Sequence, residues 1–450
     1  MRWHSAQQSP GRSRNTLERQ FKLGLGAFAL AIGAIALAQP FGDPSKTNAE
    51  AATAAANAQI SARLATIEPA SRSRIDYASL DARLKRMVEK PTMVGMAVGI
   101  VENGRITFLS GYGETLEGSG EKVTPETVFR WASVSKGVAS TMVAKLAEEG
   151  RLRFDQPVAA VAPSLRLPGR NELKATVGDV LSHRLGLYRN AFDNKLEEGQ
   201  DVNFLRGTLA TLNSVCPPGT CWSYQNVAYD AASEMVTRVG GMRYHEMVER
   251  KLFNPIGMSS ASLTIDGLVH SKSWARPHSV GRRPLEVNDN YYRVPAAGGV
   301  NSDIKDMTLW MLAQMGQMPQ VLSPQLLDTI HQPRVKTPGE RARMRKFLER
   351  LGDAQYGYGW RSYEYAGHHI IGHRGGVSGY RSLILFDPQL KSGVVALWNS
   401  NTSQPGGLEF EVMDMLYDLD FRDWMELDKG GRSAPEPDGL AARKDRGRRG

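Results

Sequence analysis

The sequence contains little cysteine and carries little net charge outside its two ends. Its 450 residues include only two cysteines, Cys216 and Cys221, too few for a disulfide scaffold or for a zinc site with four cysteine ligands. The net charge of +9 is concentrated at the ends, because residues 1–22 carry +4 and residues 428–450 carry +3. The near-neutral remainder gives no electrostatic reason to expect nucleic-acid binding. We therefore predict no nucleic-acid partner and no four-cysteine zinc site.

Long hydrophobic runs are also scarce, apart from one near the N-terminus. Residues 23–38 contain no charged residue and follow a basic stretch that ends at Lys22. A helix of this length spans about 24 Å, less than a bilayer core of about 30 Å. The run ends in Ala-Leu-Ala, a small-x-small pattern of the kind that signal peptidases cleave. We predict that residues 1–38 are a signal peptide or, alternatively, an N-terminal anchor that associates with the inner membrane; a buried core helix is the third alternative. Either membrane-related alternative places the rest of the chain in the periplasm or elsewhere outside the cytoplasm.

The remaining residues divide into a spacer, one large domain and a tail. Residues 39–75 are rich in Ala, Asn, Thr and Ser and are predicted to be a spacer. Residues 428–450 contain mainly Gly, Pro and charged residues, so we predict a disordered basic tail. Residues 76–424 have strand-like runs near both ends and helical patterns between them. This order predicts an α+β domain, an α/β sandwich whose mostly antiparallel sheet is flanked by helices, with a helical insertion over roughly residues 150–290.

Several strand and helix signals are specific. The turn residues Glu102–Arg105 separate the apolar runs Val94–Val101 and Ile106–Leu109, which predicts a hairpin. Val134–Glu149 has apolar residues at four-residue spacing, which predicts a helix that ends at Gly150. Three more runs predict strands: Ile370–Gly372, Tyr380–Phe386 and Gly393–Trp398.

A Ser-x-x-Lys motif, Ser133 to Lys136, opens that helix. Three-residue spacing on a helix places the hydroxyl and the amine on one face, close enough to exchange a proton. Apolar neighbours and the positive end of a helix both lower the pKa of a lysine, as a general base near neutral pH requires. The alternative is a helix-capping serine beside an incidental lysine. Two other pairs, which begin at Ser119 and Ser302, match the same pattern, so the motif is specific only together with others.

Two further motifs follow in the chain. Tyr224-Gln225-Asn226 lies 91 residues after Ser133, and His373-Arg374-Gly375 lies 149 residues after that tyrosine. A phenol can pass a proton to a leaving group, and an amide can hold a substrate carbonyl. A glycine-flanked strand can bring its N–H groups close to an oxyanion. Together the three motifs contain the groups that nucleophilic catalysis by a serine requires.

The ordered set Ser-x-x-Lys, Tyr-x-Asn and His-x-Gly resembles the serine hydrolases related to class C β-lactamases, D-alanyl-D-alanine carboxypeptidases and family VIII esterases. The resemblance covers roughly residues 76–424. Other stretches support it: Phe129–Ala132, Leu181–His183, Pro218–Thr220, Ala296–Gly299 and Gly375–Tyr380.

The resemblance implies a β-lactamase/transpeptidase-like fold and an acyl-enzyme mechanism that needs no cofactor. It assigns Ser133 as the nucleophile, Lys136 as its base and Tyr224 as the group that passes a proton to the leaving group. It assigns Asn226 to the acyl chain of the substrate, and the backbone N–H groups of Ser133 and Gly376 to an oxyanion hole.

Two residues depart from the class C pattern. His373 stands where most class C β-lactamases carry lysine, and Arg374 stands where many relatives carry a hydroxyl that contacts a β-lactam carboxylate. These departures disfavour efficient β-lactam hydrolysis. They favour an exported esterase or D,D-peptidase that acts on a small ester, amide or D-amino-acid peptide. The alternative is a catalytically weak, penicillin-binding-like protein that binds cell-wall peptide or a partner protein.

The two cysteines are interpreted as a pair. Cys216 and Cys221 are five positions apart, and the Pro-Pro-Gly segment between them turns the chain sharply. Such a turn can bring the two Cα atoms within the ~4.4–6.8 Å that a disulfide requires. In an oxidising compartment we predict a disulfide that fixes the segment before Tyr224. Two free thiols packed as small apolar groups are the alternative.

Other candidate residues have structural interpretations. His183 is interpreted as structural rather than catalytic. His369 and His373 are four residues apart, but Ile370 and Ile371 between them favour a strand, so no metal site is predicted. Met307–Met318 is interpreted as an amphipathic core helix.

Overall fold

The strands form where short apolar runs are interrupted by Gly, Pro and polar turns. The computed structural model describes residues 73–428. Its strands are β1 (Gly95–Glu102), β2 (Arg105–Gly113), β3 (Phe129–Arg130), β4 (Asn301–Ser302), β5 (Val335–Lys336), β6 (Leu351–Tyr356), β7 (Arg361–Tyr365), β8 (His368–Val377), β9 (Tyr380–Asp387) and β10 (Ser392–Trp398).

Helices occupy the intervals between these strands and both ends of the domain. The α-helices in the described range are α1 (Tyr77–Val88), α2 (Ser135–Glu148), α3 (Val177–Leu181), α4 (Asp193–Glu197), α5 (Val202–Thr208), α6 (Ala231–Gly240), α7 (Tyr244–Val248), α8 (Asn254–Ile256), α9 (Ile265–Val269), α10 (Pro295–Gly298), α11 (Ile304–Gln314), α12 (Pro324–His331), α13 (Pro338–Arg343) and α14 (Leu408–Leu416). A π-helical turn, Glu249–Phe253, joins α7 to α8.

The main sheet has eight strands in the order β2-β1-β10-β9-β8-β7-β6-β5, and every neighbouring pair is antiparallel. Strands β1 and β2 form the predicted hairpin. Strand β10 lies between β1 and β9, with Met96 opposite Trp398, so the two ends of the domain sequence meet inside one sheet. The predicted α+β fold with a mostly antiparallel sheet is confirmed.

The two faces of the sheet pack against different helices. Because side chains alternate along a strand, Met96 and Val98 of β1 face a core shared with α1 and α14, which includes Leu84 and Phe410. Ala97 faces the other core, which α2 and α11 share. The predicted core position of the methionines is confirmed, because Met307, Met311, Met315 and Met318 are buried in this second core. The predicted bounds and amphipathic character are wrong: α11 ends at Gln314, and all of its residues except Lys305 are buried, so it is packed on nearly every side. The candidate site lies on this second face.

The segment over residues 150–290 is built from α3–α9, short 3₁₀ turns and loops. Within the described range it contains no strand of the main sheet. Its apolar side chains, such as Val177 and Met235, join the core on the α2 face. The segment therefore packs directly against the helix that begins beside Ser133.

Several sequence predictions concern residues outside the described range. The apolar run 23–38, residues 39–72 of the spacer and the tail from residue 429 onward all lie there. Within residues 73–428, no helix is both long enough and apolar enough to cross a membrane.

Candidate active site

The predicted nucleophile lies in a tight turn at the start of α2. Ser133 is in the 3₁₀ segment Ala132–Val134, which continues directly into that helix, and Gly150 follows its end with a φ of +70°. The predicted helix is therefore confirmed. Ala132 has a φ of +49°, a left-handed conformation that costs a residue with a Cβ roughly 1–2 kcal/mol. The turn is held from both sides, because the Trp131 N–H donates to a backbone carbonyl at 2.8 Å and Ser382 Oγ donates to the Trp131 carbonyl at 2.6 Å.

Lys136, the predicted base, lies next to Ser133 and is fully buried. Its Nζ is 3.4 Å from Ser133 Oγ, 2.7 Å from Asn226 Oδ1 and 2.9 Å from the Ala297 carbonyl oxygen. The last two contacts fix the amine on the side of the helix that faces the serine. The geometry brings the predicted nucleophile and base within reach of direct proton transfer.

Tyr224 completes the cluster. Its side chain is buried, and Lys136 Nζ lies 4.7 Å from the centre of its ring. The guanidinium groups of Arg189 and Arg361 lie 5.4 and 5.7 Å from the same ring. The Tyr224 ring therefore lies within cation–π distance of three cationic side chains.

His183 holds the loop that carries Tyr224. Its Nδ1 accepts the N–H of Gln225 at 3.1 Å, its carbonyl accepts the N–H of Ser223 at 2.9 Å, and its ring centre is 4.4 Å from that of Tyr224. Burial, followed by the nearby charge of Lys136, lowers the pKa of His183 well below 6.5, so the ring is neutral. These contacts are those of a structural residue.

Asn226 has both ends of its amide occupied within the protein. Its Oδ1 accepts from Lys136, and its Nδ2 donates to Asp193 Oδ2 at 2.7 Å. The residue predicted to hold the acyl chain of the substrate is thus a direct hydrogen-bond partner of the predicted base, Lys136. Asp193 was missing from the sequence prediction, since no motif marks it and it precedes Asn226 by 33 positions.

His373 and the two glycines after it lie on β8. His373 Nδ1 donates to the Arg374 carbonyl at 2.7 Å, so its Nε2 accepts from Tyr356 Oη at 3.1 Å. Burial, reinforced by the nearby cations Arg361 and Lys136, lowers the pKa of His373 well below 6.5. The imidazole of His373 is therefore neutral.

At Gly375, β8 comes into close contact with the turn that carries Ser133. A Cβ at this position would lie 2.3 Å from the Trp131 carbonyl oxygen and 3.0 Å from the Ser133 nitrogen. Gly376, opposite Arg381 in the sheet, follows at once. The strand thus passes directly beside the Ser133 N–H, as the predicted oxyanion hole requires.

We expect Gly375→Ala to lower turnover about 100-fold, because the added methyl group must push β8 away from Ser133 and misplace an oxyanion donor. Overpacking should also cost about 1–3 kcal/mol in the free energy of unfolding. Steady-state kinetics and thermal unfolding measure the two effects. Gly207→Ala is the control, because a Cβ there has no heavy atom within 4 Å. Equal activity of Gly375→Ala and the parent protein would contradict this close contact.

Arg374 points away from the site. Its Nε donates to Glu409 Oε1 of α14 at 2.7 Å, and its guanidinium lies near the Phe347 and Phe410 rings on the opposite face of the sheet. Its side chain therefore cannot take over the substrate contact made by the hydroxyl of many relatives.

A basic cluster borders the site and was also missing from the sequence prediction. Arg189, Arg343 and Arg361 all pair with the buried carboxylate of Glu340 on α13. Burial opposes ionisation of Glu340, but the three guanidinium groups, Arg361 first, hold its pKa below the ordinary value. Three guanidinium groups thus share one buried carboxylate on this side of the site.

The three histidines of the C-terminal strands contact different groups. His368 stacks on Tyr417, while the Nε2 of His369 lies 2.7 Å from Ser362 Oγ. Within the described part of the chain, no group of three or more His, Cys, Asp or Glu side chains could hold a metal ion.

Cys216 and Cys221 are joined by a disulfide, with their Cα atoms 6.3 Å apart. The enclosed loop is attached to the neighbouring segment, because the Gly219 N–H donates to the Arg184 carbonyl at 2.7 Å. The loop ends three residues before Tyr224, so it constrains the approach to that side chain.

Replacing both cysteines with serine should lower turnover by about 10- to 100-fold through small displacements of Tyr224. The effect on stability should be modest, because so short a loop gains less than the roughly 3 kcal/mol estimated for a 15-residue loop. Kinetics and melting temperature are compared with those of the parent protein, before and after reduction. A large loss of melting temperature with unchanged turnover would show that the bridge supports the fold instead of the site.

The fold and the site together define a class of protein. The antiparallel sheet lies between two helical layers, and a helix that begins with a Ser-x-x-Lys motif is buried against it. This is the β-lactamase/transpeptidase-like architecture. The family model described as Beta-lactamase matches residues 80–413. The chain therefore belongs to the Beta-lactamase family.

Individual relatives agree with this assignment. The chain is 25% identical over 367 residues to an unguisins hydrolase of Aspergillus campestris, covering 76% of this chain and 67% of that protein. It is 27% identical over 222 residues to the D-alanyl-D-alanine-carboxypeptidase/endopeptidase AmpH of Escherichia coli, covering 48% of this chain and 56% of AmpH. The match thus spans about two thirds of the first relative and just over half of the second. These relatives support a serine hydrolase in general.

Solved structures show the same fold. The octameric penicillin-binding protein homologue from Pyrococcus abyssi superposes with a TM-score of 0.69 at 22% identity, covering 78% of this chain and 80% of that one. A class C β-lactamase superposes with a TM-score of 0.63 at 21% identity, covering 77% of this chain and 100% of that one.

Proposed function

We propose that this protein is an exported serine hydrolase that cleaves a small ester, amide or D-amino-acid peptide through an acyl-enzyme on Ser133. The observation that carries the proposal is the position of Lys136 Nζ, 3.4 Å from Ser133 Oγ and 4.7 Å from the centre of the Tyr224 ring. A serine hydroxyl is a weak nucleophile until a neighbouring base accepts its proton, and the buried amine is placed to do so.

In the proposed acylation step, neutral Lys136 accepts the proton of Ser133 as Oγ attacks the substrate carbonyl carbon. The N–H groups of Ser133 and Gly376 stabilise the oxyanion. Tyr224 passes the proton that Lys136 accepted on to the leaving alcohol or amine as the bond to the acyl carbon breaks, which leaves Lys136 neutral again. Water then attacks the acyl carbon and gives up one proton to the same groups. They return that proton to Ser133 Oγ as the Oγ–acyl bond breaks and the acid leaves.

The substrate class follows from the groups beside the nucleophile. The neutral imidazole of His373 and the outward direction of Arg374 remove two polar contacts that class C enzymes offer a β-lactam. Arg189, whose guanidinium lies 5.4 Å from the centre of the Tyr224 ring, instead suits acyl substrates with a carboxylate near the scissile bond. Esterase or D,D-peptidase activity is therefore favoured over efficient β-lactamase activity, and AmpH, named as a D-alanyl-D-alanine-carboxypeptidase, supports this choice.

The test combines covalent labelling with a substrate panel. A fluorophosphonate probe should label Ser133, as located by peptide mass spectrometry, and p-nitrophenyl esters or D-alanyl peptides should be turned over faster than nitrocefin. Labelling without turnover of any substrate would favour the catalytically weak, penicillin-binding-like alternative. An absence of labelling at Ser133 would overturn the proposal.

The extracytoplasmic location is proposed from residues 1–38 alone. Expression of the full chain followed by cell fractionation and N-terminal sequencing distinguishes the alternatives. A mature N-terminus near residue 39 indicates cleavage and release. An intact N-terminus in the membrane fraction indicates an anchor, and an intact protein in the cytoplasm contradicts both.

A further inference from the structure

Lys136 is linked to a buried carboxylate that lies outside the sequence motifs. Asn226 accepts from Lys136 Nζ through Oδ1 and donates through Nδ2 to Asp193 Oδ2, both at 2.7 Å. The amide therefore lies between an amine and a carboxylate, with its oxygen toward the positive group and its N–H toward the negative one. In this orientation its dipole is favourable to both charges.

Asp193 has few hydrogen bonds to offset the cost of burying its carboxyl group. It is 4% exposed, and within the described residues its second oxygen, Oδ1, has no hydrogen-bond partner. An asparagine would keep the hydrogen bond to Asn226 and avoid the cost of burying a charge. Scaffolding alone therefore does not account for an aspartate here, whereas its negative charge does affect the lysine beyond Asn226.

The other charges around the pair are mixed in sign. Lys136 and Arg189 favour the ionised form of Asp193, while Glu197 opposes it. Desolvation is the largest influence and raises the pKa of Asp193 to about 7. The buried phenol of Tyr291 also faces this carboxyl group, and burial raises its pKa well above 10, so it stays neutral.

Lys136 has other titratable neighbours besides Asp193. The positive charge of Lys136 acts on the buried carboxyl group of Asp230 and favours its ionised form. Burial has the larger effect and raises the pKa of Asp230 to about 6. His183 and His373 also face Lys136, and both rings are neutral. Asp193 and Asp230 are thus the carboxyl groups near Lys136. Of the two, Asp193 is linked to the Lys136 amine by hydrogen bonds through Asn226.

We propose that Asp193 is a positioning residue whose negative charge, relayed through Asn226, stabilises the ammonium form of Lys136 and thereby sets the pH range in which Lys136 accepts the proton of Ser133. The inference deepens the proposed function, because it assumes that Lys136 is the base. When Asp193 is ionised, Lys136 holds its proton to higher pH. When the charge is removed, Lys136 becomes the neutral base at lower pH.

The first experiment measures the rate at which a fluorophosphonate probe labels Ser133 between pH 5 and 9. In Asp193→Asn the midpoint of the acid limb should move down by about one pH unit, the size expected from loss of a nearby opposite charge. Asp387→Asn is the matched control, because this buried carboxylate bonds Tyr417 and turn amides at the end of β9, and its midpoint should not move. An unchanged midpoint in a normally labelled Asp193→Asn protein overturns the proposal.

The second experiment does not depend on activity. Coupling between two titrating groups is reciprocal, so removal of the lysine charge must affect the aspartate equally. Carboxyl ¹³C resonances are titrated in the full chain, and the signal of Asp193 is identified by its loss in Asp193→Asn. In Lys136→Met its midpoint should rise by about one pH unit, and an unchanged midpoint overturns the proposal. If the coupling is present but Ser133 is never labelled, the inference on charge stands and the proposed function fails.

Discussion

Replacing Ser133 with alanine should abolish covalent labelling and reduce turnover by about 10⁶-fold, the loss seen when a catalytic nucleophile is removed. The expectation follows from the contact between Ser133 Oγ and Lys136 Nζ at 3.4 Å. The protein should stay folded, because the side chain lost is small and lies at the start of a buried helix. Turnover, labelling and thermal unfolding are measured on the same preparation.

Ser119→Ala is the matched control for this experiment. Ser119 begins another Ser-x-x-Lys pattern, but it is exposed, and Lys122 pairs with Glu114 instead. Ser302, which begins the third pattern, is buried, and its hydroxyl accepts a hydrogen bond from Trp131 Nε1 at 2.9 Å. Its role is therefore to satisfy a buried polar group in the core. Labelling at either serine, or an active Ser133→Ala variant, would refute the assignment.

Lys136→Arg should lower turnover by several orders of magnitude, although the positive charge is kept. A guanidinium group does not lose its proton in proteins, so the variant cannot accept the proton of Ser133. In the parent protein the acid limb of the acylation profile should fall with an apparent pKa well below the ordinary lysine value of about 10.4. Single-turnover labelling across pH tests both statements.

Lys145→Arg controls for the size of the new side chain on the same helix. Lys145 is part-buried on α2 and donates to the Val321 carbonyl at 2.6 Å, a contact that arginine can replace. Its variant should retain activity. If Lys136→Arg is fully active as well, a positive charge at that position is sufficient for activity, and the prediction that Lys136 accepts a proton is wrong.

The sequence was sufficient to predict the parts of this site that depend on local spacing. The Ser133–Lys136 pair follows from helical periodicity, and β1, β2, β9 and β10 follow from apolar runs bounded by turns. The predicted strand Ile370–Gly372 is only the beginning of β8, whose later glycines hide it from a pattern of apolar residues. That strand continues because Gly375 packs on the turn that carries Ser133, a contact visible only in three dimensions.

The missed residues share one property, which is dependence on distant partners. Asp193 acquires its importance from Asn226, and Glu340 acquires its importance from Arg189 and Arg361. Each is an ordinary polar residue in its local sequence. Burial strengthens the interactions within these pairs. Whether a charged side chain is buried depends on the packing of distant segments, which local sequence does not show.

The position of β10 between β1 and β9 has a consequence for how the chain folds. During synthesis β1 and β2 emerge early, but the inner edge of β1 stays without its neighbour until Trp398 has left the ribosome. Pairing across so long a loop is slow, because closure entropy is lost before the contacts form. Until β10 is made, the nascent chain therefore carries an open strand edge on β1, a state in which apolar strands associate readily with other chains.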